Sequence, residues 1–257
     1  MRGRRAWRSW YKAVILLFSL LQCVLSFLPL LLRGETSPEE RAVWLHSCCK
    51  LVLRRLGFGV SVLGTAPRSG LLVSNHLSYL DILVYGATVP CVFVSKLEVR
   101  SWPLLGLLAS LGGTVFIDRR SAASAAEAAR RIETLLTAGL LVLIFPEGTS
   151  SDGSDVLRFH APLFAPAIRA TATATSAAIG YSAGTLAVEA DLCYYGDISF
   201  APHLLQILQL PEISAMVSFA DSGRLFADRK DAAATTRAEV VELRRGLGLA
   251  SGGAHRL

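Results

Sequence analysis

Hydrophobic positions follow two different patterns along the 257 residues of the chain. Residues 13–32 form an uncharged, mostly apolar run, and a helix of that length would reach about 30 Å, the thickness of the hydrocarbon core of a bilayer. From residue 57 onward, short apolar runs bounded by Gly, Pro and Ser alternate with segments of helical period. Strands that alternate with helices favour an α/β fold with a mostly parallel sheet flanked by helices.

The same pattern predicts the individual elements. Strands are predicted over residues 60–63, 71–74, 89–95, 114–117, 140–145, 176–181 and 213–219, and helices over 39–56, 79–85, 102–111, 121–138, 161–170, 204–208 and 231–245. Three segments result. They are an N-terminal segment with the apolar helix and an amphipathic helix (1–56), an α/β domain (57–245) and a Gly-rich tail (246–257).

Charge is concentrated at the N-terminus. Five of the 26 basic side chains precede the apolar run, namely Arg2, Arg4, Arg5, Arg8 and Lys12. The rest of the chain has 21 basic and 20 acidic side chains, which leaves a net charge of +1. Most of the formal net charge of +6 therefore comes from the N-terminal flank. A nucleic-acid-binding domain needs a basic face on the folded domain, and the nearly neutral remainder argues against such a partner. With 52% hydrophobic and 18% charged residues, the composition also excludes a disordered chain.

The basic flank and the apolar run together favour a retained membrane anchor over a cleaved signal peptide. Trp7, Trp10 and Tyr11 lie at the edge of the run, as in an interfacial aromatic belt, and no small-residue cleavage pattern follows it. A single crossing would place the rest of the chain outside the cytoplasm, whereas a helix that dips in and returns, bent at Pro29, would not. Five scattered cysteines without a CxxC pair agree with a cytosolic setting.

The helix predicted over residues 39–56 is amphipathic. Ser37 can cap it, and Pro38 suits its first turn. Its polar face carries Arg41, His46, Lys50, Arg54 and Arg55. The pattern agrees equally with a helix that rests on anionic headgroups and with one that packs against the core.

The first motif with candidate chemistry joins a strand end to a helix start. The predicted strand ends at Ser74, and Asp81 follows His76 by five residues. Side chains five residues apart point about 140° from each other on one helix, so the two meet only if His76 lies in the preceding turn. Ser78 would then cap the helix in a capping box with Asp81, which is the structural alternative to catalysis. In the catalytic interpretation, Asp81 orients the imidazole and His76 removes a proton from a hydroxyl.

Two further motifs also follow predicted strands. Glu147, Gly148 and Thr149 stand at the kind of sheet edge where α/β proteins bind ligands, although the same residues suit a plain surface turn. Arg119 directly follows another strand, where a guanidinium can hold a phosphate or carboxylate, and a solvated charge is the alternative. The five histidines are widely separated in sequence and form no ligand pattern, so no metal site is predicted.

Taken in order, these motifs resemble the PlsC-type glycerolipid acyltransferases, the 1-acylglycerol-3-phosphate acyltransferase family. The residues that carry the resemblance are His-x4-Asp at 76–81, Phe-Ile-Asp-Arg at 116–119 and Phe-Pro-Glu-Gly-Thr at 145–149, with Ser-Lys-Leu-Glu at 95–98 between them. The resemblance covers residues 57–220 and implies that His76 is the general base and Asp81 its orienter. It also implies an acceptor head bound by Arg119, Glu147, Gly148, Thr149 and Lys96, of which Lys96 would help to hold the phosphate.

The resemblance further implies the partners of the reaction. The donor would be a fatty acyl thioester of coenzyme A or of acyl carrier protein, the acceptor a membrane lipid, and no cofactor would be bound. Because such donors are cytosolic, residues 57–245 would be an acyltransferase domain on the cytoplasmic face of the cytoplasmic, or inner, membrane. The N-terminal helix pair would be embedded in that membrane or dip into it.

Two departures from the family pattern concern the acceptor. Ser150 stands where many members have an arginine, and the strand over 176–181 lacks the usual proline. Segments 150–153 and 195–200 are similar to a bacterial subgroup that includes lyso-ornithine lipid acyltransferases, whose acceptor carries no phosphate. The first expectation is acylation of 1-acyl-sn-glycerol-3-phosphate to phosphatidic acid, with lyso-ornithine lipid as the alternative acceptor. A non-catalytic lipid-binding protein and a thioester hydrolase are the rivals from other classes.

Overall fold

The computed structural model describes residues 2–118, 120–184, 189–248 and 255–256. The strands are β1 Phe58–Leu63, β2 Gly70–Ser74, β3 Val92–Lys96, β4 Val115–Ile117, β5 Leu141–Ile144, β6 Ala174–Ser182, β7 Ile213–Phe219 and β8 His255–Arg256. The helices are α1 Arg2–Ser26, α2 Leu28–Leu32, α3 Pro38–Leu56, α4 Leu80–Thr88, α5 Leu105–Leu111, α6 Ala122–Thr137, α7 Ala165–Arg169, α8 Phe200–Gln209 and α9 Arg229–Leu247. Arg119 lies outside the described residues.

The strands form one sheet in the order β4-β3-β5-β2-β6-β7-β1-β8. Every neighbouring pair is parallel except β6 with β7 and β1 with β8. Helices α1, α3, α4 and α8 cover one face of the sheet, and α6, α7 and α9 cover the other. The predicted class, a mostly parallel sheet flanked by helices, is confirmed.

Two interior strands, β2 and β5, show the pattern of a parallel sheet. All residues of β2 and β5 are buried, because helices lie on both faces. The two strands are hydrogen-bonded neighbours that run in the same direction, with Val73 opposite Ile144. Their carboxyl ends therefore lie side by side at one edge of the sheet, and the chain leaves β2 and β5 there for two of the predicted motifs.

An antiparallel helical hairpin precedes the sheet. Trp44 Nε1 donates to Ser26 Oγ at 2.9 Å, and Arg55 donates to Ser19 Oγ at 3.3 Å, so later residues of α3 meet earlier residues of α1. The α-helix is interrupted at Phe27: α1 ends at Ser26, and Pro29 lies in the first turn of the short helix α2.

Helix α3 begins one residue before its predicted start, ends at its predicted end, and has the capping residues that its sequence predicts. The Ser37 hydroxyl accepts the Glu40 amide, and the Glu40 carboxylate accepts the Ser37 amide, which completes a capping box. At the other end Gly57 takes a φ of +73°, a left-handed conformation that glycine adopts without a steric penalty.

The apolar side of α3 packs into the core, and part of its polar side faces inward too. Arg41 donates to the Leu111 carbonyl at 3.1 Å, and His46 Nδ1 lies 2.7 Å from the Gly86 carbonyl. Lys50 and Arg54 are exposed. The apolar side of α3 is thus packed in the core, and part of its basic face stays open to solvent.

Helix α1 lies along the α/β domain and leaves an apolar side uncovered. The segment Trp7–Leu32 is long and apolar enough to cross a membrane, by length and composition, and 22% of an 18-residue window within it is buried. At its start, Ser9 donates to the Leu205 carbonyl and Lys12 to the Leu210 carbonyl, so α1 is tied to the end of α8. Large apolar side chains on its outer side are exposed, among them Trp7, Trp10, Phe18 and Leu25.

Candidate active site

The candidate site lies at the carboxyl ends of β2 and β5. His76 follows β2 by two residues, and the Glu-Gly-Thr loop follows β5. The two segments hold each other: the His76 amide donates to Glu147 Oε1 at 3.0 Å, and the Ser151 amide donates to the His76 carbonyl at 3.0 Å. The backbone of His76 is thus fixed on both sides by the neighbouring loop.

His76 and Asp81 meet as the five-residue spacing predicts. His76 Nδ1 lies 2.7 Å from Asp81 Oδ2, and the Asp81 side chain is fully buried while 22% of the His76 side chain is exposed. Because Nδ1 is held by the carboxylate, the ring proton is assigned there and the lone pair of Nε2 is left for another partner. The geometry is that of an oriented imidazole base.

Only half of the capping box predicted at Ser78 is present: the Asp81 carboxylate accepts the Ser78 amide, whereas the Ser78 hydroxyl has no hydrogen-bond partner among the described residues. The residue before α4 is Tyr79, and no side chain caps the helix. The Asp81 carboxylate instead accepts the amides of Leu77 at 2.7 Å and Ser78 at 3.1 Å through the oxygen that also meets His76. Asp81 therefore satisfies the free amides of the turn and binds the imidazole at the same time, so the geometry agrees with the structural alternative and with the catalytic one.

The imidazole of His76 rests on an aromatic ring. The rings of His76 and Phe145 are stacked with centroids 4.2 Å apart and an interplanar angle of 15°. Phe145 is the first residue after β5 and belongs to the segment that continues into the Glu-Gly-Thr loop. The same segment therefore fixes the backbone of His76 and supports its side chain. The carboxylate, the loop and the ring together leave the imidazole little freedom to rotate.

Glu147 lies behind His76, where it is 4% exposed. Burial raises the pKa of Glu147 from its ordinary 4.5 to about 7, against the opposing effect of the hydrogen bond from the His76 amide. Gly148 takes a φ of +74°, which turns the chain so that Gly148 and Thr149 face a cavity. The predicted acceptor-binding residues of this loop therefore occupy two different places, one behind the histidine and two in front of it.

A cavity of about 210 Å³ opens in front of His76. Its polar lining comes from Lys96 and Ser95 at the end of β3, and from Gly148, Thr149 and Ser150. Its apolar lining includes Tyr79, Ile82, Val99, Trp102, Phe145 and Tyr194. His76, Lys96, Gly148 and Thr149 thus meet at one cavity, as expected from sequence, with Asp81 and Glu147 buried behind it.

A second, apolar cavity of about 270 Å³ lies next to the first. Side chains from α1, α3, α5 and α8 line it, including Leu16, Leu20 and Cys23 of the hairpin. Four residues line both cavities, namely Tyr79, Ile82, Val99 and Trp102. An apolar chain could therefore lie beside the imidazole with only these side chains between the two spaces.

Sequence reasoning missed two contacts of the site. The Tyr181 hydroxyl donates to Asp81 Oδ1 at 2.5 Å, and the Ser150 hydroxyl donates to the Tyr194 carbonyl. Both join residues at least 44 positions apart, and no local pattern marks such a pair. In the described part of the chain, no group of three or more His, Cys, Asp or Glu side chains is arranged to hold a metal ion.

Comparison with protein families gives a match to the family described as Acyltransferase, over residues 61–180. The chain is also 16% identical to the 1-acyl-sn-glycerophosphate acyltransferase PlsC of Thermotoga maritima, with a TM-score of 0.66 over 97% of both chains. That likeness extends over the helical hairpin as well as the sheet, and at this identity it concerns the fold.

Several curated proteins are similar in sequence. A lyso-ornithine lipid O-acyltransferase of Pseudomonas aeruginosa is 39% identical over 65% of this chain and 62% of its own length. A protein of the same name from Rhodobacter capsulatus is 34% identical over 96% of this chain and 91% of its own. A 1-acyl-sn-glycerol-3-phosphate acyltransferase of Neisseria meningitidis is 35% identical over 71% and 72%.

Proposed function

Because this chain belongs to the PlsC-type lysophospholipid acyltransferase family, we propose that it moves a fatty acyl group from a thioester to the free hydroxyl of a lysolipid. The observation that carries this proposal is the His76–Asp81 pair at the mouth of a cavity that adjoins an apolar space. Within the described residues, no hydroxyl is hydrogen-bonded to the His76 ring. The acceptor lipid would supply the hydroxyl nucleophile.

The proposed reaction uses the imidazole as base and then as acid. His76 Nε2 takes the proton of the acceptor hydroxyl while its oxygen attacks the thioester carbonyl, and Asp81 stabilises the imidazolium that forms. The tetrahedral intermediate then collapses, the carbon–sulfur bond breaks, and the leaving thiolate takes the proton back from His76. An ester and a free thiol result, and the histidine returns to its starting state.

The acceptor we favour is a phosphate-free lysolipid of the lyso-ornithine type. Ser150 follows the Glu-Gly-Thr loop, and its hydroxyl is turned to the Tyr194 carbonyl, so a neutral group stands at this edge of the cavity. The similarity to the Rhodobacter capsulatus protein, which extends over nearly all of both chains, supports this choice. A phosphate-bearing acceptor is the second candidate, supported by Lys96 in the cavity and by the Neisseria meningitidis relative.

The exposed apolar side of α1 supports a location of the reaction at a membrane surface. An apolar helix surface with Trp7 and Trp10 near a basic flank fits the interface of a bilayer. Since α1 is hydrogen-bonded to α8 at Ser9 and to α3 at Ser26, the α/β domain and the helix would stay on the same side of the membrane. That side would be the cytoplasmic face of the inner membrane, where coenzyme A or acyl carrier protein presents the acyl donor.

Acyl transfer by the full chain in lipid vesicles tests the reaction and the base. We expect His76→Ala to lower the rate by about 10²- to 10⁴-fold, the usual contribution of a general base. His160→Ala, which removes an exposed imidazole outside the cavity, is the matched control and should keep the rate. A wild-type rate in His76→Ala would contradict the assignment of the base.

The acceptor is tested with the same protein and a panel of lysolipids. Lyso-ornithine lipid and 1-acylglycerol-3-phosphate are offered separately with a single thioester donor, and kcat/KM is compared. We expect the phosphate-free lipid to be acylated faster. Transfer only to the phosphorylated acceptor would overturn this choice and leave the reaction type intact, whereas thioester cleavage without transfer would indicate a hydrolase.

A further inference from the structure

The buried carboxylate of Asp81 has hydrogen-bond donors on both of its oxygens. Oδ2 accepts His76 Nδ1–H and the amides of Leu77 and Ser78. Oδ1 accepts the hydroxyl of Tyr181 at 2.5 Å, across 100 positions of sequence. All four partners are donors, the set that an ionised carboxylate requires when it is withdrawn from water. Tyr181 is therefore the group that satisfies the oxygen facing away from the histidine.

Tyr181 is itself held firmly in place. It lies near the end of β6, between β2 and β7, and is 7% exposed. Its amide donates to Glu189 Oε1 at 2.7 Å, and Glu189 forms an ion pair with Arg244 of α9. The phenol thus projects towards Asp81 from a backbone anchored on two sides.

From this arrangement we propose that Tyr181 is a positioning residue, which fixes the orientation of the Asp81 carboxylate and through it the imidazole of His76. The inference rests on the proposed acyl transfer and adds a third residue to its dyad. Without the Tyr181 hydroxyl, Oδ1 would be buried with no donor, which is costly for a carboxylate. The carboxylate could relieve this by turning about its Cβ–Cγ bond, at the expense of the bond between Oδ2 and Nδ1. With Oδ1 held as well, both oxygens are fixed.

The protonation state of the Tyr181 phenol agrees with this role. Burial, followed by the nearby Asp81, raises the pKa of Tyr181 well above its ordinary 10, so the phenol keeps its proton at working pH. A protonated phenol next to a carboxylate can act only as a donor there. Tyr181 accordingly supplies one fixed hydrogen bond and takes no part in proton transfer.

The chain offers a matched control for a test of this proposal. Tyr85 is also a buried tyrosine, and its hydroxyl is 2.5 Å from Ser74 Oγ. Tyr85→Phe therefore removes a buried phenol hydroxyl of the same kind without removing a hydrogen bond to Asp81. Tyr181→Phe removes the bond to Oδ1 and keeps the ring. We expect both full-length variants to melt at similar temperatures in the same vesicles.

Steady-state kinetics then separates positioning from folding. In Tyr181→Phe we expect kcat to fall by about 10- to 100-fold, the loss commonly seen when the partner of a catalytic ligand is removed, with KM for the acceptor within about twofold of wild type. Tyr85→Phe should keep kcat. Equal kcat values in the two variants, or a loss confined to KM, would overturn the proposal. A loss in Tyr181→Phe that follows a much lower melting temperature would also overturn it, because the role would then be structural.

A spectroscopic measurement tests the contact without any turnover. The Nδ1 proton of His76, which is shared with Asp81, is followed by proton NMR in detergent micelles and identified by its absence in His76→Ala. We expect this resonance to shift in Tyr181→Phe and to stay in place in Tyr85→Phe; an unchanged resonance in both would contradict the inference. If the wild-type protein acylates no lysolipid, the proposed function fails, and this measurement still decides whether Tyr181 orients the dyad.

Discussion

At the scale of single residues, the most unusual group of the site is the carboxyl of Glu147. It is buried behind His76, and its pKa of about 7 lies well above that of the same group in an unfolded chain. Between about pH 4.5 and pH 7, the unfolded chain has released this proton while the folded protein still holds it. The free energy of unfolding therefore falls as pH rises through this window, by at most about 1.4 kcal/mol per pH unit, and levels off above it.

Glu147→Gln removes this titration and keeps an oxygen for the His76 amide. We expect the variant to lose the decline in stability between pH 4.5 and pH 7 and to be more stable than wild type above pH 7. Chemical denaturation at a series of pH values measures the effect. Glu98→Gln, which alters an exposed carboxyl, is the control and should keep the wild-type slope. Parallel pH profiles for wild type and Glu147→Gln would contradict the burial effect.

A second residue-scale prediction concerns Lys96, an exposed residue of the cavity lining. A charge-assisted hydrogen bond to a dianionic phosphate is stronger than one to a phosphate-free head. Lys96→Ala should therefore raise KM for 1-acylglycerol-3-phosphate by about tenfold or more and affect lyso-ornithine lipid less. Initial rates over a range of acceptor concentrations measure this, with the exposed Lys50→Ala of α3 as control. An equal change in KM for both acceptors would remove Lys96 from headgroup selection.

The sequence predicted the contact between His76 and Asp81, which are close in the chain. It could not predict the contacts that hold these residues in place from distant parts of the chain. The spacing of His76 and Asp81 restricted their geometry to a turn and a helix start, and the structure has that geometry. Tyr181 reaches Asp81 only because β6 pairs with β2, which is a property of the whole sheet. The burial of Glu147 likewise depends on how its loop packs, which no local pattern records.

At the scale of elements, helix α3 depends on its start signal. The Ser37 hydroxyl accepts the Glu40 amide, one half of a reciprocal capping box. Ser37→Ala should lower the free energy of unfolding by about 1 kcal/mol. Ser47→Ala, in the exposed middle of the same helix, removes a hydroxyl that bonds only within its own turn and should change stability little. Denaturant titrations of the two variants give the comparison, and equal stabilities would refute the role of the cap.

The elements themselves were predicted well where their pattern is strong. The strand over 213–219 has the predicted bounds, and α3 differs by one residue at its start. The helix predicted over 102–111 begins only at Leu105, because Leu104 takes a positive φ of 57° and the chain before it forms a 3₁₀ turn. The helix over 161–170 is split between a 3₁₀ turn and α7. Both differences occur next to prolines, where the chain bends in ways that periodicity does not encode.

At the scale of the whole molecule, the exposed side of α1 predicts how the protein meets a bilayer. Phe18 is 68% exposed on that side. An aspartate in its place would have to enter the apolar phase, at a cost of several kcal/mol if the helix is embedded. We expect Phe18→Asp to lower the partition coefficient into vesicles by at least about tenfold, as measured by flotation. Leu225→Asp alters an equally open apolar residue away from the helix and should partition like wild type; equal loss in both would argue against a dedicated membrane face.

Helix α1 of the antiparallel hairpin has two sides in different surroundings. Leu16, Leu20 and Cys23 form part of the wall of the apolar cavity, while Phe18 and Leu25 point outward from the same helix. If the protein binds a bilayer as proposed, only the width of α1 would separate the lipid from the apolar cavity, and Lys12 hydrogen-bonds this helix to the end of α8. A fragment trimmed to residues 57–257 would lose the proposed membrane-binding surface and also part of the wall of the apolar cavity. Any preference for acyl chains measured on that fragment would therefore describe a cavity of a different shape.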